Sequence, residues 1–418
     1  MKIAIVGAGV SGLTAAYLLN DEHQLTVFEA ADCIGGHTNT VEVASGGKNY
    51  AVDTGFIVFN EKTYPHFVAL MNRLGVTWRN SDMSFSVQCA RTGLEFKPSN
   101  LDTMFAQRKN FFRLSFYRML ADALRFRKEC EALLDSEGDE SRTLGEFLKE
   151  NRYSEQFVEH FIIPMGEAIW SADPAGFTEF PVRYFAAFFK NHGFLNLKDQ
   201  PQWLTIEGGS SRYLEPLTRG FAGRIRLNSR VVEIRRSESQ VTITPAGGEP
   251  ETFDQVVIAA HSDQAISMLA DPSPQEQEIL GNIPYQENDT VLHTDISMLP
   301  KHKKAWAAWN YFIPPEETGR VAITYDMNIL QGLDAKDEFC VTLNRTQAVD
   351  PEKIIRRYTY HHPVYTPTSL SARRRRDEIS GKNRTWYCGA YWHYGFHEDG
   401  VKSAVEVCRH FGKSIENA

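Results

Sequence analysis

The chain has 418 residues, 42% of them hydrophobic, enough to bury a large core as two domains or as one domain with an elaborate insert; this excludes a disordered or fibrous protein. A formal charge of −8 provides no global attraction to nucleic acid, so contact with a polyanion or a membrane requires a local basic patch. The six cysteines (Cys33, Cys89, Cys130, Cys340, Cys388 and Cys408) lie far apart with no CxxC pair, which predicts structural thiols in a reducing compartment and no metal centre.

After Lys2, the uncharged stretch from Ile3 to Asn20 has the length of a secretory signal, but Gly7, Gly9 and Gly12 weaken its apolar run and Asp21 and Glu22 follow it. A cytoplasmic protein without a transmembrane span is expected. The same stretch reads as strand, turn and helix: KIAIV (2–6) is apolar and β-branched, GAGVSG (7–12) is the turn, and LTAAYLLN has helical spacing. Gly7 permits the tight turn and Gly9 lets the backbone approach a pyrophosphate. Val10 and Ser11 open the helix, and Gly12 lets it pack closely, so that its amino terminus aims amides and dipole at the phosphates. The next strand, LTVFEA, ends at Glu29, 17 residues after Gly12, where a carboxylate can accept both hydroxyls of an adenosine ribose, with Ala30 beside it. No arginine follows in AADCI, so a 2′-phosphate is not expected. A second glycine pair, Gly35 and Gly36, followed by His37 and Thr38, brings another backbone turn to the pyrophosphate. Simple nicotinamide dehydrogenases lack that turn, which points to the longer cofactor FAD, bound non-covalently, with His37 as a hydrogen-bond donor.

Later segments extend the site. VDTGFIVFN (52–60) places Asp53, Gly55 and Phe56 in an extended stretch. Residues 101–189 are mostly helical in pattern. Within them QRKNFFRLSFYRML (107–120) sets Phe111, Phe112, Phe116 and Tyr117 among Arg108, Lys109, Arg113 and Arg118, which suits a membrane interface and equally a helix with a buried aromatic face. FIIPMGEAIW (161–170) and RYFAAFFKNHGFL (183–195) can wall a long tunnel or fill a core. LNSRVVEIRR (227–236) and VTITP read as paired strands, with the backbone at Val231 meeting the adenine. VVIAAH (256–261) is a buried strand ending in a turn, and the run Arg373 to Arg376, followed by Asp377 and Glu378, reads as a salt-bridged surface turn. The carboxy-terminal TWYCGAYWHYGFHEDGVKSAVEVCRHF (385–411) is strand, glycine turn and helix. There Gly389 passes the ribityl phosphate, and the helix start at Glu398, Asp399 and Val401 aims backbone amides at the flavin N1 and O2.

GAGVSG, Glu29, the glycine pair and the CGA…G…DG segment resemble the flavin amine oxidase superfamily, which includes polyamine oxidases and phytoene desaturases. A closer likeness runs end to end through GGHTNTV, TGFIVFN..TYP, SDMSFSV, FIIPMGEAIWS, DQPQWLT, LHTD, AWAAWN and CGAY..YGFHEDG. These strings resemble the amino-terminal flavoprotein half of plant cyclopropane fatty acid synthases and their free-standing bacterial relatives. The resemblance implies an α/β fold: a discontinuous Rossmann-type FAD domain (1–80, 203–283 and 380–418) and an α+β substrate domain (81–202 and 284–379). It also implies an acyl-lipid setting, with any methyl transfer left to a separate methyltransferase partner, because the chain ends at Ala418 soon after the flavin motif.

Two departures from the amine oxidases matter. His37 stands where they usually carry arginine, and NDTVLHTDISM (288–298) offers His293 where many place a lysine near flavin N5. His293 is thus the candidate proton acceptor, with a histidine satisfied inside a sheet as the alternative. Tyr391, Trp392 and Tyr394 precede the flavin helix where amine oxidases build an aromatic wall, and that wall can guide an acyl chain. The expected activity is dehydrogenation of a fatty acyl chain of a lipid by hydride transfer to flavin N5, with peripheral contact at the inner face of the membrane. An amine or polyamine oxidase, and a non-catalytic flavoprotein partner of a methyltransferase, are the alternatives.

Overall fold

The structure, a computed structural model, describes residues 1–136, 141–170, 174–195, 200–316 and 319–416. Five parallel strands make one sheet in the order Ile225–Arg226, Gln24–Phe28, Lys2–Val6, Gln255–Ile258, Thr385–Tyr387. The near-continuous apolar runs of these segments are what a parallel sheet covered on both faces demands. Alternate side chains go to opposite faces: Ile3, Ile5, Leu25, Val27 and Val257 pack with the helices Val10–Leu19 and His397–Arg409. Ala4, Val6, Phe28, Val256 and Ile258 pack against the antiparallel meander Val231–Arg236, Val241–Pro245, Glu251–Phe253. Arg236 ties that meander down through buried bonds to Glu276 (2.6 Å) and a contact with Asp271 (2.9 Å).

A seven-stranded sheet forms the second layer system, in the order Ile354–Pro363, Tyr285–His293, Cys340–Leu343, Ile323–Asp326, Trp309–Ile313, Phe85–Cys89, Glu95–Phe96. Its pairs are antiparallel except Trp309–Ile313 with Phe85–Cys89, which run parallel. Helices Leu114–Asp135, Leu144–Glu150 and Val182–Asn191 cover it through an aromatic core that includes Phe116, Phe126, Phe157, Phe185 and Phe188. The hairpin Thr40–Ser45/Lys48–Asp53 reaches across from the first glycine turns and buries Val41 and Val52 in that same core.

The segment 107–120 differs from a single amphipathic helix. Arg108–Phe112 is a 3₁₀ turn, Arg113 is extended (φ −101°, ψ 103°), and the long helix starts at Leu114. Phe116 is buried, and Phe111 stacks on Phe105 at 4.0 Å, whereas Phe112 and Leu114 are 90% and 86% exposed on the corner so formed. Among the described residues no helix is long and apolar enough to cross a membrane.

Candidate functional site

A cavity of about 860 Å³ runs from the parallel sheet to the seven-stranded sheet. Its first end is the turn after strand Lys2–Val6. Gly7 (φ +106°) donates its amide to Phe28 at 2.8 Å, and the helix that follows starts at Gly9 with no side chain capping it, which leaves its first amides for a ligand. A Cβ on Gly12 would sit 1.9 Å from the Gly7 carbonyl oxygen, so Gly12 serves the packing of turn on helix and lies behind the wall. A Cβ on Gly9 would meet nothing within 4 Å and would project into the cavity that Gly7, Gly9, Val10 and Ser11 line.

The second glycine pair docks on the first turn: the Gly35 amide donates to Ala8 at 2.8 Å, Gly9 and Gly35 bridge in parallel, and Gly36 faces Gly9. Glu29, with Ala30 beside it, holds its carboxylate at the same lip by accepting from the amides of Ala8 (2.7 Å) and Ala31 (2.8 Å). Val231 and Gly389 wall the cavity from the meander and the last strand, and Gly55 and Phe56 wall it beside His37. The Phe56 amide donates to His37 at 2.8 Å, and a Cβ on Gly55 would lie 2.3 Å from that same carbonyl oxygen. His37 stacks on Tyr360 at 4.9 Å and its buried Nε2 has no partner among the described residues. Burial, then the neighbouring His261 and His361, push its imidazole down to about 4.

Several expected cofactor residues stand behind this wall. Thr38 spends its hydroxyl on Tyr213 and on His397 Nε2 (2.9 Å). Glu398 caps helix Pro65–Leu74, accepting from the amides of His66 (3.2 Å) and Phe67 (2.8 Å) and pairing with His66 Nδ1 at 2.7 Å. Asp399 accepts from the Phe396 amide (2.9 Å), and burial raises its carboxyl to about 6. Val401 is core. The carboxy-terminal helix instead meets the cavity through Gly395, Phe396 and His397.

His293, the expected proton acceptor, also stands apart from the cavity. It is fully buried at the end of strand Tyr285–His293, outside the cavity wall, with Nε2 bonded to Thr342 (2.7 Å) and Nδ1 accepting from the Asp295 amide (3.0 Å). Burial lowers it to about 4. Both ring nitrogens being spent, it holds the end of its strand between its two neighbours. Tyr391 and Tyr394 line the cavity, whereas Trp392 does not: the tight 3₁₀ turn Ala390–Trp392 sends successive side chains in different directions, and Trp392 borders a second cavity behind.

Further residues complete the site, several of them from the segments 161–170 and 183–195 expected to wall a tunnel or fill a core. Tyr360 accepts from Asn39 and pairs with Thr54, both at 2.8 Å, beside His361 and His362, and His261 stacks on Tyr285 at 4.2 Å. Burial, with the neighbouring histidines, lowers His261 to about 4 and His362 to about 3. At the far end Met83, Ile169, Trp170, Phe188, Phe194 and Trp309 make the wall, and His192 stands among them, stacked on Phe188 at 3.9 Å. Its Nδ1 faces the Phe188 carbonyl at 3.1 Å. A carbonyl only accepts, so the proton sits on Nδ1 and Nε2 keeps a lone pair. Burial lowers this histidine to about 4, so it is neutral at neutral pH. Among the described wall residues Glu29 is the only carboxylate and Arg230 the only Lys or Arg, and both lie at the end of the glycine turns and the meander.

The uncapped helix, the room at Gly9 and the orphan nitrogen of His37 fit a diphosphate-bearing cofactor. Comparison with known proteins agrees. A family model described as flavin-containing amine oxidoreductase matches residues 10–294. A Mycobacterium tuberculosis protein assigned as a flavin-containing monoamine oxidase is 26% identical, aligned over 68% of this chain and 62% of its own length. An L-amino-acid oxidase of Bothrops moojeni is 24% identical over 70% of this chain and 59% of its own. The chain thus spans about six-tenths of the length of the curated relatives it matches. Among solved structures, cyclohexylamine oxidase from Brevibacterium oxydans superposes with a TM-score of 0.70 at 19% identity, covering 98% of this chain and 99% of that one. A CLA-producing fatty acid isomerase from P. acnes superposes at 0.68 with 17% identity, covering 98% of both chains. The chain belongs to the flavin-containing amine oxidoreductase family, a family of flavin-dependent oxidoreductase enzymes, and its cofactor is FAD.

Proposed function

We propose that the protein dehydrogenates a fatty acyl chain of a lipid, the bound flavin supplying the two-electron acceptor. The observation that carries this reading is the sorting of charge in the cavity. Among the described residues its far end is walled by Met83, Ile169, Trp170, Phe188, Phe194 and Trp309, with neither a carboxylate nor a Lys or Arg. A diamine or polyamine needs a carboxylate to balance its distal ammonium, and an α-amino acid needs a cation for its carboxylate; an acyl chain needs neither. His192 is the proton acceptor this reading assigns, its Nε2 lone pair standing among the apolar walls, in place of His293.

In the same reading Gly7, Gly9, Val10, Ser11, Glu29, Ala30, Gly35, Gly36, His37, Gly55, Phe56, Val231 and Gly389 hold FAD, since they wall the dinucleotide end of the cavity. Supporting a division into 1–80, 203–283 and 380–418 against 81–202 and 284–379, every strand of the parallel sheet falls in the first set and every strand of the seven-stranded sheet in the second. The protein also touches membrane. Of the eleven large apolar side chains exposed among the described residues, five (Leu101, Phe111, Phe112, Leu114 and Tyr117) lie in one short segment. Residues 97–121 carry Lys97, Arg108, Lys109, Arg113 and Arg118 against Asp102 alone, the reverse of the chain's overall charge. An apolar corner ringed by cations matches an anionic lipid surface.

The test is anaerobic mixing of the FAD-loaded protein with acyl phospholipids and, separately, with amines and amino acids. Lipid should bleach the flavin and yield a product lighter by two hydrogens. Bleaching by an amine or amino acid with no response to lipid would overturn the reading.

A further inference from the structure

The arginine run 373–376 is divided by the structure. Arg375 pairs at the surface with Glu278 (2.6 Å) and Glu378 (2.9 Å), and Arg376 is held by Glu406 (2.5 Å) and by the carbonyls of Tyr387 (3.0 Å) and Ser403 (2.9 Å). Arg373 is different. It is only 5% exposed, its guanidinium lies 3.7 Å over the ring of Tyr365, and Nη2 reaches the Val364 carbonyl at 3.3 Å. Its Nε and Nη1 have no partner among the described residues. A guanidinium stays charged at any physiological pH, and one cation–π contact with one long hydrogen bond does not offset the desolvation of a buried cation.

Arg373 lines a second cavity, of about 1040 Å³, behind the aromatic segment that precedes the carboxy-terminal helix. Among the described residues six basic side chains border it (Arg373, Arg374, which has a partner of its own, Arg376, Lys382, Lys402 and Arg409) against two carboxylates, Asp377 and Glu406. Glu406 is already engaged by Arg376 and by His393 at 3.4 Å. The cavity adjoins the first: Tyr394 walls both, and Tyr365, on which Arg373 lies, walls the first. The unpaired cation is therefore one aromatic ring away from the apolar cavity.

We propose that this second cavity binds the phosphate of an amphiphilic phosphate ester, with Arg373 as its buried cation, while the neighbouring apolar cavity takes the acyl chain of the same molecule. The phosphate site stands on Arg373 and the charge of its cavity; its pairing with an acyl chain rests on the lipid reading above. Together they make the substrate a phospholipid and not a free fatty acid.

The experiment is calorimetric titration of the FAD-loaded protein with three probes: dihexanoyl phosphatidylglycerol, glycerol 3-phosphate and monohexanoylglycerol. Both phosphate probes should bind, the phospholipid more tightly, and Arg373→Met should weaken both by roughly tenfold or more, the effect of removing a charge-assisted bond, while sparing the uncharged glyceride. If Arg373→Met does not retain FAD, the double variant Lys382→Gln/Lys402→Gln, made on side chains at the edge, should weaken both phosphate probes several-fold, and wild-type binding should fall with salt. Phosphate binding that is absent, or equal in wild type and the variants, overturns the site. Arg373-dependent binding of glycerol 3-phosphate that the acyl chains do not improve upholds the phosphate site with a free phosphate ester as its occupant, and sinks the phospholipid assignment.

Discussion

Replacing Gly9 by alanine adds one methyl group where the backbone (φ −77°, ψ −178°) suits any residue and where no protein atom lies within 4 Å of the new Cβ. The folded chain has little reason to resist it. Reduced freedom of the unfolded chain favours folding by about 0.4–1 kcal/mol, and the poorer helix cap that alanine makes takes back a similar amount. The methyl group does occupy the approach to the amides of helix Val10–Leu19. A diphosphate pushed back by about 1 Å loses at least one charge-assisted bond to those amides, about 1.5–3 kcal/mol, which lowers FAD affinity roughly tenfold to a hundredfold. Gly12→Ala behaves in the opposite way: its Cβ would lie 1.9 Å from the Gly7 carbonyl oxygen and 3.1 Å from Ala259 Cβ, so the cofactor-free protein itself loses about 1–3 kcal/mol. Titrating the FAD-free proteins with FAD by flavin fluorescence, and melting them without it, separates the two effects. Wild-type FAD affinity in Gly9→Ala would refute the assignment of this turn to the diphosphate.

Three further outcomes follow from the site and its surroundings. His192→Gln should leave flavin content unchanged and slow anaerobic flavin reduction by an acyl lipid by roughly 10²–10⁴-fold; a wild-type rate would remove His192 from the chemistry. In the FAD-free protein, His37, His192, His261 and His293 titrate near 4 when folded, so between about pH 6.5 and about pH 4 the unfolded chain binds more protons at these sites and stability drains away as the pH falls. Asp53 and Asp399, raised to about 6, and Asp326, raised to about 8, oppose this because the folded state takes up their protons first; with His362, lowered to about 3, five histidines against three carboxyls leave a net loss, and urea midpoints at pH 5 no lower than at pH 7 would contradict it. Phe112→Ser with Leu114→Ser, both on exposed side chains, should keep the fold and reduce salt-sensitive binding to anionic vesicles; equal binding to neutral vesicles would count against a charged docking corner.

What the sequence made legible is what the backbone alone dictates. GAGVSG, the apolar strands on either side of it and the glycine pair at 35–36 specify turns and close approaches through residue type, and the structure brings Gly9 and Gly35 into contact although 26 positions separate them. Side-chain destinations were less legible. Glu398 and Asp399 are expected to meet the flavin through the backbone amides of their helix start, yet Gly395, Phe396 and His397 line the cavity there, and the Glu398 side chain is claimed by the helix beginning at Pro65, distant in sequence and invisible to local spacing. His293 was singled out by correspondence with a family lysine, but its strand is central to the far sheet and turns that ring toward Thr342. His192 was hidden because nothing in FFKNHGF distinguishes a histidine facing a cavity from one facing core. The doublet His361–His362 was visible and carried no signal until the strand Ile354–Pro363 brought it beside His37 and His261.

Charge placement then narrows what the family likeness leaves open. A flavin site on this fold is compatible with amines, amino acids and lipids, because the electron acceptor is common to all. The walls support the lipid reading proposed above: Glu29 and Arg230 stand at the dinucleotide end, His37, His261 and His362 are held neutral by burial and by neighbouring histidines, and among the described residues the far end offers aromatic rings and one neutral imidazole. A zwitterion drawn into that end would leave its water with no ion to replace it, a cost of several kcal/mol per charge. A molecule whose charge stays outside, at the cations around Arg373, and whose apolar part alone enters avoids that cost. The two cavities that meet at Tyr394 have the arrangement such a molecule requires.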